Sequence, residues 1–291
     1  MMSNQVTCEQ TKEQVIFILN NYWNRNYTGF TFPLPNYPYL ERKNLDTIKN
    51  GDYVFTKKKV NHKRAVFMLY KNHKDKNKQF LIFRDNTIIE TNLKIENSYY
   101  RGSIFDVMYD ESGKICIYDT FMAGGYRVNY CDYKERHDYA ETVSKNSNEL
   151  SFCKIYNDIN EIKNVSENEE LYFINNIKYL VSGQDSSSFR WRPSELINIG
   201  LKVKENEKNL DLYTTNFKLD KLFASITDEN VIKIKSLQNY TDGCIVNFNI
   251  RKVEFNFTNV ETEQKYPTSI KQIENIILIK HENITFLELS G

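Results

Sequence analysis

The 291-residue chain carries 39 Lys and Arg against 38 Asp and Glu, a formal net charge of +1, with a mean hydropathy of −0.60. That balance excludes a coating protein for long nucleic acid, which needs a basic surplus to displace counterions from many phosphates. No run of about 18 apolar residues is present, so a chain that crosses a membrane by helices is not expected.

The first expected element is a helix over residues 11–24, where Val15, Ile16, Ile18, Leu19 and Trp23 give an apolar stripe at helical spacing. Phe32-Pro33-Leu34-Pro35 follows as an extended segment, because each proline disfavours helix in its predecessor. From Asp52 the pattern changes to short β-rich runs at residues 53–55, 64–70, 79–84 and 87–91, with Asp85-Asn86 at a hairpin tip. Residues 103–109 and 115–121 read as two further strands joined by Asp110-Glu111-Ser112-Gly113. Residues 132–145 read as a charged helix and residues 157–168 as a polar surface stretch. Residues 170–173 and 178–181 read as a strand pair, with 186–188 looping into Phe189-Arg190-Trp191-Arg192-Pro193. Short strands then recur at 200–203, 210–214, 232–235, 244–250 and 252–257, the rhythm of a small barrel. Pro267 precedes a last helix over residues 269–279. The expected class is α+β, a larger mixed-sheet domain followed by the barrel.

Five cysteines (Cys8, Cys116, Cys131, Cys153, Cys244) are odd in number and never spaced as Cys-x-x-Cys, which argues against a zinc site or a disulfide framework. The histidines His62, His73, His137 and His281 form no close-spaced pair, so no metal site is expected. Residues 1–12 are polar, and no signal peptide is expected. The chain holds 35 Asn and 4 Ala beside 20 Tyr and 18 Phe, the usage of an AT-rich genome such as that of a large DNA virus or a parasite. Triplets such as Asn239-Tyr240-Thr241 therefore read as by-products of asparagine content rather than glycan sites. The expected location is the cytoplasm, the host's if the source is viral.

Several short motifs stand in a fixed order. They are Phe32-Pro33 with Asn44-Leu45 and Asp52-Tyr53, then Lys59-Val60-Asn61-His62-Lys63-Arg64, Gly102-Ser103-Ile104-Phe105-Asp106 and Ile117-Tyr118-Asp119. The helix with Tyr133, Glu135 and Arg136 follows, then Glu169-Glu170-Leu171-Tyr172-Phe173 and Arg190-Trp191-Arg192-Pro193. The order ends with Asp242-Gly243-Cys244-Ile245-Val246 and Pro267-Thr268-Ser269-Ile270-Lys271. Over most of the chain this order resembles the mRNA capping guanylyltransferases of the covalent nucleotidyltransferase superfamily, which includes DNA and RNA ligases. The resemblance implies a nucleotidyltransferase-like mixed-sheet domain over residues 1–198, then an OB-fold β-barrel with a C-terminal helix over residues 199–291.

The departures from that family are chemical. Its nucleophile motif is Lys-x-Asp-Gly-x-Arg, whose lysine attacks the α-phosphate of GTP; here Lys59 and Arg64 keep their places while Asn61-His62 replaces Asp-Gly. A nucleophilic lysine needs surroundings that depress its pKa; the Lys57-Lys58-Lys59 run contributes a little but reads chiefly as a solvated hairpin face. The family's Asp-Gly-Glu becomes Asp106-Val107-Met108, and methionine holds neither a divalent metal nor a ribose. Its Lys-x-Lys-Pro becomes Arg190-Trp191-Arg192-Pro193, which keeps two positive charges on one strand face. Its final basic stretch becomes residues 260–267, where Glu261 and Glu263 stand in place of cations that would neutralise a triphosphate. Phosphoryl transfer is mostly positioning and charge neutralisation, so these losses imply an inactive guanylyltransferase that uses no cofactor. The alternatives are a divergent guanylyltransferase using Lys59 with Mg²⁺ and GTP, or a non-catalytic subunit of a capping or transcription complex.

In the family the guanine lies between an aromatic residue and the aliphatic residue of a Glu/Asp-Gly-Leu-Ile/Val-Phe motif, which is here Glu169-Glu170-Leu171-Tyr172-Phe173; the two positions correspond to Tyr118 and Tyr172. Two rings around one base select cationic 7-methylguanosine by stacking and cation–π attraction. The resemblance therefore implies a protein that binds the mRNA 5′ cap, similar in its lost motifs to the snurportin cap-binding domain, whose Asp-x-apolar-Tyr is similar to Asp106-Val107-Met108-Tyr109. Glu170, Glu169 and Asp119 are candidates to read the guanine edge, with Asp106 beside them. Lys59, Arg64, Arg190 and Arg192 would hold the phosphate bridge. The expected partners are capped mRNA 5′ ends and translation-initiation or transcription and capping proteins. Tyr118 and Tyr172 read equally well as ordinary strand aromatics in a chain this rich in Tyr and Phe, Trp191 reads as core, and Tyr99-Tyr100-Arg101 as either an RNA-stacking edge or a loop.

Overall fold

The computed structural model describes residues 4–23, 34–110, 112–145, 147–176, 187–207, 209–216, 219–226, 229–251, 254–261 and 267–290. The expected strand at 178–181, Phe32-Pro33 and Glu263 lie outside them. The chain divides into two compact units, Met1–Pro38 with Asp46–Trp191, and Tyr39–Leu45 with Arg192–Gly291. No helix is long and apolar enough to cross a membrane among the described residues.

The first unit contains helices α1 (Glu9–Trp23), α2 (Leu45–Asn50) and α3 (Tyr133–Ser144). Its strands are β1 (Asn4–Gln5), β2 (Tyr53–Lys59), β3 (Lys63–Lys71), β4 (Asn77–Phe83), β5 (Ile88–Glu90), β6 (Ser103–Tyr109) and β7 (Ile115–Ala123). They continue with β8 (Tyr126–Arg127), β9 (Leu150–Phe152), β10 (Ile155–Tyr156), β11 (Glu169–Asn175) and β12 (Phe189–Trp191). An eight-stranded sheet runs β1-β5-β4-β3-β6-β7-β8 with β9 parallel to β7, and a four-stranded antiparallel sheet runs β10-β2-β11-β12.

Strand β3 sits mid-sheet and is covered on both faces, which explains its unbroken apolar run. Val66, Met68 and Tyr70 pack toward Val15 and Leu19 of α1, the stripe that made α1 legible. Ala65, Phe67 and Leu69 pack on the other side with Phe105, Ile117 and the α3 residues Ala140 and Val143. The expected hairpin tip is Asn86, at φ 69°, a left-handed turn position that asparagine tolerates. Helix α3 starts on a capping box: Asp132 accepts from the Glu135 amide while the Glu135 side chain accepts from the Asp132 amide. The stretch at 157–168, expected to be polar surface, buries Ile159 and Ile162 around a single 3-10 turn. Two isolated apolar residues give no periodic signal.

The second unit carries β13 (Asn198–Asn206), β14 (Asn209–Asn216), β15 (Leu219–Ile226), β16 (Ile245–Arg251) and β17 (Glu254–Glu261). Its helices are α4 (Glu229–Lys235), α5 (Ile270–Glu282) and α6 (Phe286–Ser290). The antiparallel order β15-β14-β13-β16-β17 places the fourth strand beside the first, a Greek key in a five-stranded, partly open arrangement of the OB type. Ile273, Ile276 and Ile279 of α5 pack with Leu201, Val203, Leu212 and Phe248. Residues 232–235 are not the expected strand but the end of α4, which seats Val231 and Ile234 on the core one helical turn apart. Ile232-Lys233-Ile234-Lys235 alternates with the period of a strand, but four residues are too few for that alternation to exclude a helical turn. Strand β15 gives no strand signal, because its Leu222 is exposed and Asp220 and Lys221 blur the alternation.

Candidate functional site

Strand alternation organises the site. On β2, Val54, Thr56 and Lys58 share one face while Phe55, Lys57 and Lys59 share the other. Strand β11 lies antiparallel with Glu170 opposite Lys58, Tyr172 opposite Thr56 and Ile174 opposite Val54. Glu170, Tyr172 and Ile174 therefore join the Lys58 face. Phe55 and Phe173 meet edge-on behind it at 5.5 Å. On the eight-stranded sheet, β3 and β6 bring Arg64 beside Asp106. The β6–β7 register passes from Asp106–Asp119 to Val107–Ile117 and skips Tyr118. Tyr118 is thus the extra residue of a β-bulge, a device that re-aims a side chain.

Lys58 lies at the centre. Its side chain is 5% exposed, and its Nζ stands 3.6 Å from Oδ2 of Asp106, which is 1% exposed. The same Nζ is 4.6 Å from the ring centroid of Tyr118, 4.6 Å from that of Tyr172 and 5.7 Å from that of Tyr37. Arg64 donates two hydrogen bonds to the Asp106 carboxylate, at 2.9 and 2.6 Å, and a third to the Pro35 carbonyl at 2.7 Å. The rings are held in turn. Tyr172 donates its hydroxyl to Glu170 Oε2 at 2.9 Å, and the Arg190 guanidinium lies 3.6 Å from that oxygen. Tyr118 donates to the Lys57 carbonyl at 3.0 Å, and Tyr133, the first residue of α3, donates to the Tyr118 carbonyl at 2.7 Å. Tyr37 meets Tyr172 edge-on at 5.7 Å.

The charges shift one another. Burial pulls the Lys58 ammonium below the usual lysine range and the Arg64 cation adds to that, while Asp106 opposes both. Burial alone would raise the Asp106 carboxyl, but Arg64 and Lys58 outweigh it and hold it below the usual range. Burial raises the Tyr118 and Tyr172 hydroxyls, so both rings stay neutral. On the outer face Lys57 and Lys59 pair with one carboxylate, Glu169, at 3.1 and 3.0 Å. Burial pushes Glu169 upward, yet Lys59, the Ser166 amide and Lys57 together bring it down to about 2.

That depression predicts a pH effect with a definite sign. A carboxylate whose folded pKa of about 2 lies below its ordinary 4.5 contributes its full stabilisation above 4.5 and loses it as the pH falls toward 2. In a plot of urea midpoint against pH, Glu169→Gln is expected to flatten the acid limb between those values. An acid limb identical to that of the wild type would show that other groups carry it.

The structure brings Tyr118, Tyr172, Asp106 and Arg64 into one cluster, with Glu170 and Arg190 reached through the Tyr172 hydroxyl. Asp119 is turned to another task. Arg136 donates to both its oxygens at 2.7 and 3.0 Å, and each side chain of that pair is 3% exposed. Lys59 is 46% exposed and lies on the opposite strand face from Lys58, with Glu169. Arg192 belongs to the second unit. The lysine run is not the solvated face expected of it, because its middle member points inward. The clue was a period of two running on from Val54 and Thr56. Tyr37 has no sequence signal. Trp191 is buried, as its position between two arginines implied, and Tyr100 is buried rather than a stacking edge. No group of three or more His, Cys, Asp or Glu stands ready to hold a metal among the described residues.

No family model matches the sequence, and no curated protein matches it. Among solved structures the chain is similar to the ligase domain of LigD from M. tuberculosis, at 7% identity over 73% of this chain and 90% of that one, with a TM-score of 0.32. It is also similar to the ATP-dependent DNA ligase of bacteriophage T7 in complex with ATP, at 10% identity over 82% of this chain and 98% of that one, with a TM-score of 0.38. The α+β class of the chain stands on its own strand order: two sheets in the first unit and a five-stranded Greek key in the second.

Proposed function

We propose that this chain binds the 7-methylguanosine cap at the 5′ end of mRNA without forming a covalent nucleotide intermediate. The observation that carries the reading is that Tyr118 and Tyr172 stand equally close, at 4.6 Å, to a single cation. Tyrosine faces that converge on a cation favour positively charged 7-methylguanine over neutral guanine. Asp106 supplies the opposing charge. Glu170 supplies a carboxylate for the donors on the guanine edge, and Arg64, Arg190 and Lys58 supply cations for the phosphate bridge. Lys59, spaced as the family's nucleophile, is bound to Glu169 on the other strand face, which supports a non-covalent role. The corresponding setting is the cytoplasm, in translation initiation of viral mRNA, with translation-initiation or transcription and capping proteins as partners.

Calorimetry with 7-methyl-GTP and GTP tests this. The methylated nucleotide is expected to bind at least about tenfold more tightly. Tyr172→Ala is expected to weaken it by about 1–3 kcal/mol, the loss of one stacking partner. Equal affinity for the two nucleotides, or no change in the variant, would contradict the sandwich.

Lys58 also favours a second reading. A lysine whose pKa is lowered by burial beside a guanidinium has the character of an activated amine nucleophile. A divergent guanylyltransferase would then use Lys58, or Lys59 by motif spacing. Incubation with α-labelled GTP and Mg²⁺ separates the two: a covalent label lost in Lys58→Ala or Lys59→Ala would replace the cap-binding reading, and no label is expected if that reading holds.

A further inference from the structure

The place between Tyr118 and Tyr172 is filled by the chain itself. The Lys58 ammonium touches two ring faces, approaches a third at Tyr37 and faces the Asp106 carboxylate. Those are the contacts a planar cation would use. Arg64 is pinned by three hydrogen bonds to Asp106 and Pro35, whereas the Lys58 ammonium rides on a flexible four-carbon stem. When a ring enters, Lys58 is the group that yields. Its backbone does not follow, because β2 is held in the ladder with β11, where Lys58 lies opposite Glu170. The expelled ammonium swings on a fixed root and stays beside the site.

Building on the cap-binding reading, we propose that Lys58 determines specificity: it makes the site require a ligand that joins a cationic ring to an anionic chain. Ejecting the ammonium costs every ligand the same cation–π and ion-pair contacts. A cationic ring restores them on Tyr118, Tyr172 and Asp106, and a neutral ring does not. Ligands then divide by what they offer the displaced ammonium. A phosphate chain next to the ring receives it in a charge-assisted hydrogen bond, and a nucleoside leaves it to water. Lys58 thus works first as an internal competitor for the rings and afterwards as a phosphate contact.

The test compares 7-methyl-GTP with 7-methylguanosine on wild-type protein and on Lys58→Met, a swap of similar volume that removes the buried charge. The nucleoside is expected to bind the variant roughly tenfold more tightly than the wild type, because nothing must be ejected. The ratio of nucleotide to nucleoside affinity is expected to fall by roughly tenfold or more, because a phosphate contact is lost. An unchanged ratio would overturn the inference while leaving cap binding intact. Failure of the wild type to bind 7-methyl-GTP at all would overturn both, so the two failures are distinguishable. Lys58→Gln gives the same comparison if the methionine variant melts early, and thermal unfolding of each variant shows which one to use.

Discussion

Asp106→Asn is expected to lower the stability of the protein by about 3–5 kcal/mol, the usual cost of removing one partner from a buried ion pair. The substitution keeps the shape of the side chain and removes only its charge. Asp106 is 1% exposed and faces two cations, Lys58 at 3.6 Å and Arg64 through a two-pronged hydrogen bond. Without the carboxylate, Lys58 stays buried and Arg64 half-buried at the junction of the two sheets of the first unit, with their charges unopposed. Urea unfolding measures the loss as a lower midpoint at constant slope. Lys58→Met on the Asp106→Asn background is expected to recover part of the loss, because one stranded charge leaves with the lysine. A loss below about 1 kcal/mol would mean that water reaches the cluster and screens it as it screens a surface pair.

Arg136→Ala is expected to cost a similar amount, about 3–5 kcal/mol, for the same physical reason at a different place. The guanidinium donates twice to Asp119 and once to the Cys131 carbonyl at 2.8 Å. Removing it strands Asp119 under α3. The experiment also decides the role of Asp119. If the carboxylate is structural, Asp119→Asn loses stability and a double-mutant cycle with Arg136→Ala shows strong coupling. If instead Asp119 reads the guanine edge, Asp119→Asn abolishes 7-methyl-GTP binding at little cost in stability. The geometry predicts the first outcome.

Much of the architecture could be read from local chemistry. The Val15–Leu19 stripe, the two-faced β3 run, the Asp85-Asn86 tip and the Asp132 cap are each decided by residues within a few positions of one another. The meeting of Arg64, Asp106, Tyr118 and Tyr172 followed from motif order. What stayed hidden depends on pairing between distant segments. The face that Lys58 takes is local to β2, but the residues it meets there come from β11, more than a hundred residues away in sequence. The partner of Asp119 sits on the far side of a chain reversal, on the helix after β7. Tyr37 reaches the cluster from an irregular segment with no periodicity to read. At residues 232–235 and 219–226 the local pattern was ambiguous, and the packing of the Greek key decided it.

The skipped position in β7 bears on how such a protein diverges. Because β6 pairs with Ile117 and Asp119 on either side of Tyr118, the hydrogen-bond ladder closes without that residue. The side chain at 118 faces the central cation yet contributes no rung to the sheet. Selection can therefore exchange the ring there for another and retune ligand preference while the fold that presents it stays in register.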